Sequence, residues 1–308
     1  MLTSFLGICG AFIFGAGDFL GGLAAKRISA IRVTGIAAFS GLLFLLLMYP
    51  LVGGAVSPGA LVWGALSGVS GALAISLIYA SLAIGPMSIL SPLTAIIGAI
   101  VPAAVGIGGG RHFAVTGYIG IVLVLVAVVL VGFVPEKGAV RPSLRGLSMA
   151  AGAGLMVGAF FILIDNAPHD SGIVPLIANR LVNSSLMGVT VLVLGLVSRR
   201  RRLRPVLVNG AVRPKSGASL GSGSSVGVGN LRLAILLAAA CGVVDVSANI
   251  LLIYGIHLGE VTLMAVLTSM YPAGTILLAA IVLRERIAPV QVVGLVLALA
   301  AAALLATA

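Results

Sequence analysis

The chain has 308 residues, of which 60% are hydrophobic and only 8% are charged, and its mean hydropathy is +1.27. No soluble domain needs so much apolar surface, so the composition excludes an ordinary soluble protein and favours a bundle that faces lipid. The net charge of +11 falls in loops that have no aromatic stacking platform. We therefore interpret it as a determinant of orientation in a membrane and not as a nucleic-acid-binding surface.

Apolar runs of about 20 residues without period-two alternation predict membrane-spanning helices and argue against barrel strands. The predicted fold class is an all-α polytopic membrane protein. The first run lacks a basic start, so we interpret it as a retained helix and not as a signal peptide. The ten predicted helices cover residues 4–25, 31–52, 61–82, 87–107, 114–134, 146–166, 172–197, 231–256, 261–283 and 289–305.

One connection is long. Residues 198–230 are rich in Arg, Gly and Ser, and they include four consecutive arginines, Arg199 to Arg202. A segment of this composition cannot bury a core, so the sequence predicts a disordered cytoplasmic loop there.

The two halves of the chain resemble each other. The stretch from Gly10 to Asp18 recurs from Gly158 to Asp165, and the residues that follow match in the same order. The sequence therefore predicts two five-helix repeats, residues 1–135 and residues 146–308, with the 198–230 linker inserted into the second. Further matched pairs are Arg32 with Arg180, Tyr79 with Tyr254, and Thr94 with Thr268.

Five helices per repeat is an odd number, so the second repeat is predicted to be inverted relative to the first. The charges agree, because the loop after the first helix is basic and its counterpart after the sixth carries Asp165 and Asp170. Most Lys and Arg residues then lie on one side. Counting them as cytoplasmic predicts that both termini are outside.

The last two helices carry recognisable motifs. The ninth contains Thr268-Ser269-Met270-Tyr271-Pro272, a turn follows at Arg284-Glu285-Arg286, and the tenth begins with Gln291-Val292-Val293-Gly294. This part resembles the EamA-type transporters of the drug/metabolite transporter superfamily, although Arg284 stands where that family usually has Gly. The resemblance implies a ten-helix basket whose central cavity is lined by helices 1, 3, 4, 6, 8 and 9.

Ionisable residues within apolar helices are the best candidates for a site, because a mid-membrane Asp costs about 2.5–3.5 kcal/mol on insertion scales. Asp245 lies near the middle of the eighth helix, with Asn249 one turn away on the same face. Desolvation disfavours the charged carboxylate, so the sequence predicts that Asp245 binds a proton or a substrate. The alternative is a carboxyl group that only packs between helices. Asp18 is a second candidate, although it could extend toward Lys26 or Arg27.

The other predicted cavity residues are Thr268, Tyr271, Tyr79 and Tyr254. The similar spacing, about fifteen residues, of Asp18 from Arg32 and of Asp165 from Arg180 also predicts two symmetry-related ion pairs. Such pairs could break alternately as gates, or they could serve as static anchors.

No hydrolase, ATPase or metal-binding motif is present in the sequence, so we predict no enzymatic activity, no cofactor and no metal. The predicted function is secondary transport of small metabolites or drugs by alternating access, with proton coupling as one option. The alternative is a membrane scaffold or sensor that transports nothing. The expected partners are a small-molecule substrate and membrane lipid, without nucleic acid, and the expected location is the bacterial plasma membrane.

Overall fold

The computed structural model describes residues 2–28, 30–82, 87–110, 114–132, 143–202, 228–259, 261–284 and 288–306. Within these ranges the chain forms eleven α-helices and a short 3-10 helix at His169–Ser171. The α-helices are α1 (Leu2–Ala25), α2 (Ala30–Val52), α3 (Pro58–Leu82), α4 (Met87–Gly108), α5 (Val115–Gly132), α6 (Leu144–Asp165), α7 (Val174–Arg202), α8 (Val228–Leu258), α9 (Val261–Thr268), α10 (Tyr271–Val282) and α11 (Pro289–Ala306).

Six segments of the described chain are long and apolar enough to cross a membrane, and three shorter apolar helices accompany them. The six segments are Leu2–Ala25, Arg32–Val52, Pro58–Ile78, Leu144–Asp165, Asn230–Leu258 and Val261–Val282. Large apolar side chains point outward, as a lipid-facing surface requires, and Leu47, Leu192 and Leu299 each expose more than 60% of their surface. The predicted all-helical membrane class is confirmed.

The long linker is shorter than predicted from the sequence. Helix α7 continues to Arg202, so the four arginines extend the helix, and α8 already begins at Val228. Arginine is a good helix former, which explains why the helix continues beyond its apolar part. The rest of the predicted loop, residues 203–227, lies outside the described residues.

The predicted ninth helix is broken in two, which corrects its assignment as one continuous helix, although Val261–Val282 still counts as a single candidate membrane span. Helix α9 ends at Thr268 and α10 begins at Tyr271, with Ser269 and Met270 forming a turn between them. The physical reason is Pro272, which lies in the first turn of α10. Its ring carries no N–H and cannot bond the carbonyl of Thr268 four residues earlier, so a continuous α-helix is disfavoured there.

The helices pack in an interleaved manner. Helix α1 packs against α8 and α10, while α6 packs against α3 and α4, and α5 packs mainly against α11. One buried cluster joins α1, α4, α5, α9 and α11, and it includes Val124, Leu267 and Leu305. A second cluster joins α2, α6, α7, α8 and α9.

Glycines permit the closest approaches between these helices. A Cβ atom added to Gly15 of α1 would lie 2.5 Å from the Tyr271 carbonyl oxygen, and one added to Gly68 of α3 would lie 2.5 Å from the Asn179 carbonyl oxygen. Small residues at such crossings let the backbones meet, which replaces the hydrophobic driving force that is missing within lipid. These crossings hold α1 against α10 and α3 against α7, beside the cavity described below.

The Gln291–Gly294 motif has a structural explanation. The Gln291 side chain accepts a hydrogen bond from the Ala288 amide at 3.0 Å and donates one to the Val131 carbonyl at 3.2 Å. A Cβ atom on Gly294 would lie 2.8 Å from the Val131 amide nitrogen. The motif therefore caps the start of α11 and docks this helix onto the end of α5.

Candidate functional site

A cavity of about 280 Å³ lies among helices of both halves of the chain. Residues of α1, α3, α4, α6, α7, α8 and α9 line it, together with the first residue of α10. Its lining is mostly apolar, with a small number of polar groups, as is typical of small-molecule sites. The polar lining residues are Asp18, Asn179, Arg180, Asn183, Asp245, Asn249, Thr268, Ser269 and Tyr271.

An ion pair joins two of the helices at this cavity. The guanidinium Nη2 atom of Arg180 in α7 contacts the Oδ2 atom of Asp245 in α8, and the two side chains are 16% and 34% exposed. Asn249, one turn after Asp245, donates from Nδ2 to the Asp245 carbonyl oxygen at 2.8 Å and to Oδ2 at 3.3 Å. The Asp245 carboxylate therefore has both a cation and an amide as partners.

The second acidic residue, Asp18, lies on α1 near the point where this helix touches α8. A Cβ atom on the preceding residue, Gly17, would be 3.6 Å from the Asp245 Cβ atom. Asp18 is exposed, and it lines the cavity. Within the described ranges no Lys, Arg or His side chain lies at ion-pair distance from it. Its carboxyl group is thus available to a molecule in the cavity.

The break between α9 and α10 opens onto the same cavity. The lining residues at the break are Thr268, Ser269 and Tyr271. The Oγ1 atom of Thr268 is buried and has no hydrogen-bond partner among the described residues, and the whole residue is 6% exposed. Its counterpart in the first half, Thr94, donates to Leu90 and also contacts the Ala150 carbonyl at 3.1 Å. The two related threonines therefore differ, and only the one at the helix break keeps an unused hydrogen-bonding group.

Helix α7 contributes a row of polar residues that sequence reasoning did not assign to the cavity. Asn179, Arg180 and Asn183 all line it, and Asn179 is fixed by a 2.8 Å bond from its Nδ2 atom to the Ser67 hydroxyl. A signal was present in the sequence, because these positions place three strongly polar side chains at i, i+1 and i+4 within one predicted membrane helix.

The structure brings five of the predicted site residues together at the cavity, namely Asp245, Asn249, Asp18, Thr268 and Tyr271. Of the two remaining candidates, Tyr254 is not among the described lining residues. Tyr254 is 38% exposed on α8. Tyr79 belongs to α3, and its side chain falls outside the described residues.

The two ion pairs predicted as gates are corrected. Arg180 contacts Asp245 and not Asp165, because it lies six residues into α7, about 9 Å along the axis, while Asp165 ends α6. Arg32 is exposed near the start of α2, whereas Asp18 lies seven residues before the end of α1. Among the described side chains these two form no ion pair.

Comparison with known proteins identifies the second half of the chain directly. The model of the EamA-like transporter family matches residues 144–307, which is more than half of the chain. No curated protein matches. A solved crystal structure is similar to this chain with a TM-score of 0.69 and 15% sequence identity. The match covers 98% of this chain and 95% of the chain in that structure. At this identity the similarity shows the fold alone. The chain belongs to the EamA-like transporter family, and hence to the drug/metabolite transporter superfamily.

Proposed function

We propose that this protein is a secondary transporter that moves small metabolites or drugs across a membrane by alternating access. The observation that carries the proposal is the presence of charged residues in the cavity between the two halves, to which the first half supplies Asp18 and the second supplies Arg180 and Asp245. Charged groups are expensive in a membrane interior and mark the pathways of substrates and ions. A site at the interface of two halves also becomes accessible to each side when the halves rock.

The packing of the helices supports two inverted five-helix repeats, residues 1–135 and residues 146–308. If α1 of the first repeat corresponds to α6 of the second, then α3 corresponds to α8. The contact of α1 with α8 is then equivalent to the contact of α6 with α3. In the same way, the packing of α2 on α8 corresponds to that of α7 on α3. Exchange of partners between repeats is the arrangement expected around a pseudo-two-fold axis in the membrane plane.

The broken helix α9–α10 is a second supporting feature. Transporters commonly form their sites at discontinuous helices, where irregular backbone is tolerated because it lines a cavity. Here the break places Thr268 and Ser269 at the cavity. We further propose the bacterial plasma membrane as the location, since a helical bundle with one-sided basic loops suits that membrane.

The test has two stages. Metabolite profiles of cells that lack the protein are compared with those of cells that overproduce it, and the solutes that change are then assayed for flux in proteoliposomes. We expect flux with the wild-type protein and at least a tenfold loss with Arg180→Ala, which leaves the Asp245 carboxylate unpaired.

Arg145→Ala is the matched control, because it removes the same charge from an exposed position at the start of α6 and should retain flux. If no solute moves through the folded wild-type protein, the transport proposal is wrong and a scaffold or sensor role takes its place.

A further inference from the structure

We propose that His169 and His257 together form a binding site for a divalent transition-metal ion such as Zn²⁺. His169 begins the short 3-10 helix between α6 and α7, and His257 is the last residue but one of α8. Neither histidine is among the described residues that line the cavity. The inference therefore adds a second site to the molecule and does not depend on the proposed transport function.

The two imidazole rings are close enough to share an ion. Their centroids lie 4.6 Å apart, and their planes are inclined to each other by 48°. Two imidazoles that coordinate one Zn²⁺ ion through bonds of about 2.0–2.1 Å have ring centres roughly 5 Å apart. The observed separation is close to this value, so small rotations of the two side chains would place a nitrogen of each ring on a common ion.

One of these rings also has a nitrogen without a partner. The Nε2 atom of His257 is buried and makes no hydrogen bond among the described residues. A neutral imidazole has one donor and one acceptor nitrogen, and a buried polar atom that is left unpaired costs free energy. Coordination of a metal ion by this ring would use a lone pair that the contact between the two rings leaves unused.

The pair lies where an ion can reach it from solution. His257 precedes the last residue of the candidate span Asn230–Leu258, so it lies near the end of the membrane-spanning part of α8. His169 and the next residue, Asp170, are exposed. Residues 165–173 contain two Asp and no Lys or Arg, and negative charge without a neighbouring base attracts cations.

Both histidines are carried by backbone that is already fixed. In the segment that carries His169, Asp170 accepts a backbone hydrogen bond at 2.9 Å from the loop between α2 and α3, and Ile173 donates one to that loop at 3.4 Å. On the other side, His257 follows Ile256, which is 1% exposed and belongs to the second buried cluster. A bound ion would therefore link the segment before α7 to the end of α8 without a large rearrangement of either.

The donor set determines the kind of ion and the kind of site. Imidazole nitrogen suits Zn²⁺, Cu²⁺ and Ni²⁺, whereas Mg²⁺ and Ca²⁺ prefer oxygen ligands. Within the described residues no group of three or more His, Cys, Asp or Glu side chains is placed to hold a metal ion. The pair therefore supplies two protein ligands and leaves the remaining positions to water, as in an open, exchangeable site.

This site could not be recognised in the sequence, from which no metal was predicted. Metal-binding motifs are recognised by ligands at short, regular spacings, whereas His169 and His257 are far apart along the chain. Only the packing of the segment before α7 against the end of α8 brings the two rings together.

The test measures Zn²⁺ binding to the purified full-length protein in nanodiscs, with an affinity tag that contains no histidine. We expect calorimetry to show one Zn²⁺ bound per chain and no binding of Mg²⁺. His169→Ala should weaken Zn²⁺ binding about tenfold or more, because one of the two protein ligands is lost. His257→Gln should have the same effect, and it keeps a polar side chain at the partly buried position so that the fold is retained.

Thermal unfolding provides an independent readout. Zn²⁺ at about 100 times its dissociation constant should raise the unfolding midpoint of the wild-type protein by about 4 °C, because the ion binds only the folded chain. The same concentration should leave the midpoints of His169→Ala and His257→Gln nearly unchanged. With Cu²⁺ as a spectroscopic probe, electron paramagnetic resonance should show two imidazole nitrogens on the ion in the wild type and one in His169→Ala.

His112→Ala is the matched control, because it removes the third histidine of the chain, which lies outside the described residues, and leaves the pair intact. It should bind Zn²⁺ as the wild type does. Failure of the folded wild-type protein to bind Zn²⁺ would overturn the inference. Unchanged binding in folded His169→Ala, or an equal loss in His112→Ala, would also overturn it, because the ion would then be held by other residues.

Discussion

At the scale of single residues, the structure explains an unusual position in the sequence. Arg284 follows α10 with a φ of +54°, a left-handed backbone conformation that L side chains rarely adopt. It stands where the related transporters usually have Gly, and Gly adopts this conformation without a Cβ clash. A glycine at position 284 would therefore adopt the backbone conformation of this turn without strain.

The first prediction concerns this turn. Arg284→Gly should leave the protein at least as stable as the wild type, because the relief of strain offsets the greater flexibility of Gly in the unfolded chain. Arg284→Val should lower the free energy of unfolding by about 1–2 kcal/mol, since a β-branched side chain is poorly tolerated at positive φ. Thermal unfolding in detergent measures both effects.

Arg284→Ala separates charge from geometry in this experiment, because it keeps a Cβ atom and removes the guanidinium. A stability close to the wild type is expected for it. If the Gly variant is the least stable of the three, backbone strain does not govern this turn.

At the scale of helices, function and stability depend on close crossings and on one interruption. Helix α1 meets α10 at Gly15 and α8 at Gly17, so one helix of the first half touches two elements that line the cavity. Helix α10 is itself separated from α9 by the turn before Pro272. Each feature gives a prediction.

The second prediction uses two glycines of α1. In Gly15→Ala the new methyl group would lie 2.5 Å from the Tyr271 carbonyl oxygen and 2.6 Å from the Thr275 amide nitrogen, and neither backbone atom can move aside freely. We expect a loss of about 1–3 kcal/mol in the free energy of unfolding, measured by denaturant titration in micelles. Gly10→Ala is the matched control in the same helix, because nothing lies within 4 Å of its added Cβ atom. Equal effects of the two substitutions would show that the crossing is looser than described.

The third prediction concerns the helix break. Pro272→Ala restores an amide that can bond the Thr268 carbonyl, so α9 and α10 should merge. We expect transport to fall at least tenfold, because the turn that places Thr268 and Ser269 at the cavity is lost. The unfolding free energy should stay within about 1 kcal/mol, since the added hydrogen bond opposes the loss of a Pro that suits a helix start.

Pro289→Ala provides the comparison for this variant. Pro289 also begins a helix, α11, and it is exposed and does not line the cavity. Unimpaired transport in Pro272→Ala would show that the helix break is not required for transport.

At the scale of the whole molecule, we expect the distribution of charge to set the orientation in the membrane. Lys26 and Arg27 follow α1, and Arg199–Arg202 end α7. In an inverted arrangement the ends of α1 and α7 lie on the same side. Positive residues are retained in the cytoplasm, so that side is expected to be cytoplasmic.

The fourth prediction is the resulting topology, with both termini outside and residues 199–215 inside. A reporter that is active only in the cytoplasm should be inactive when it is fused at Ala308. The same reporter should be active when it is inserted within residues 203–215. The reverse pattern would show that the Lys and Arg distribution does not orient this chain.

The sequence alone determined the class of the protein, because hydropathy over about 20 residues depends only on local composition. The sequence alone also indicated the family, because the motif from Thr268 to Gly294 is contiguous along the chain. Asp245, Asn249 and Asp18 could be selected as site residues for a related reason. A polar group in an apolar helix is conspicuous wherever that helix packs.

The tertiary structure decided which groups meet. The pairing of Arg180 with Asp245 depends on how α7 and α8 are rotated and how deeply each extends, and matching spacings along the chain suggested Asp165 instead. The role of α7 in the cavity was missed because helix rotation about its axis is set by packing at glycine crossings such as Gly68 with Asn179. Sequence fixes the groups that a membrane helix carries, whereas long-range contacts fix the partner that each group finds.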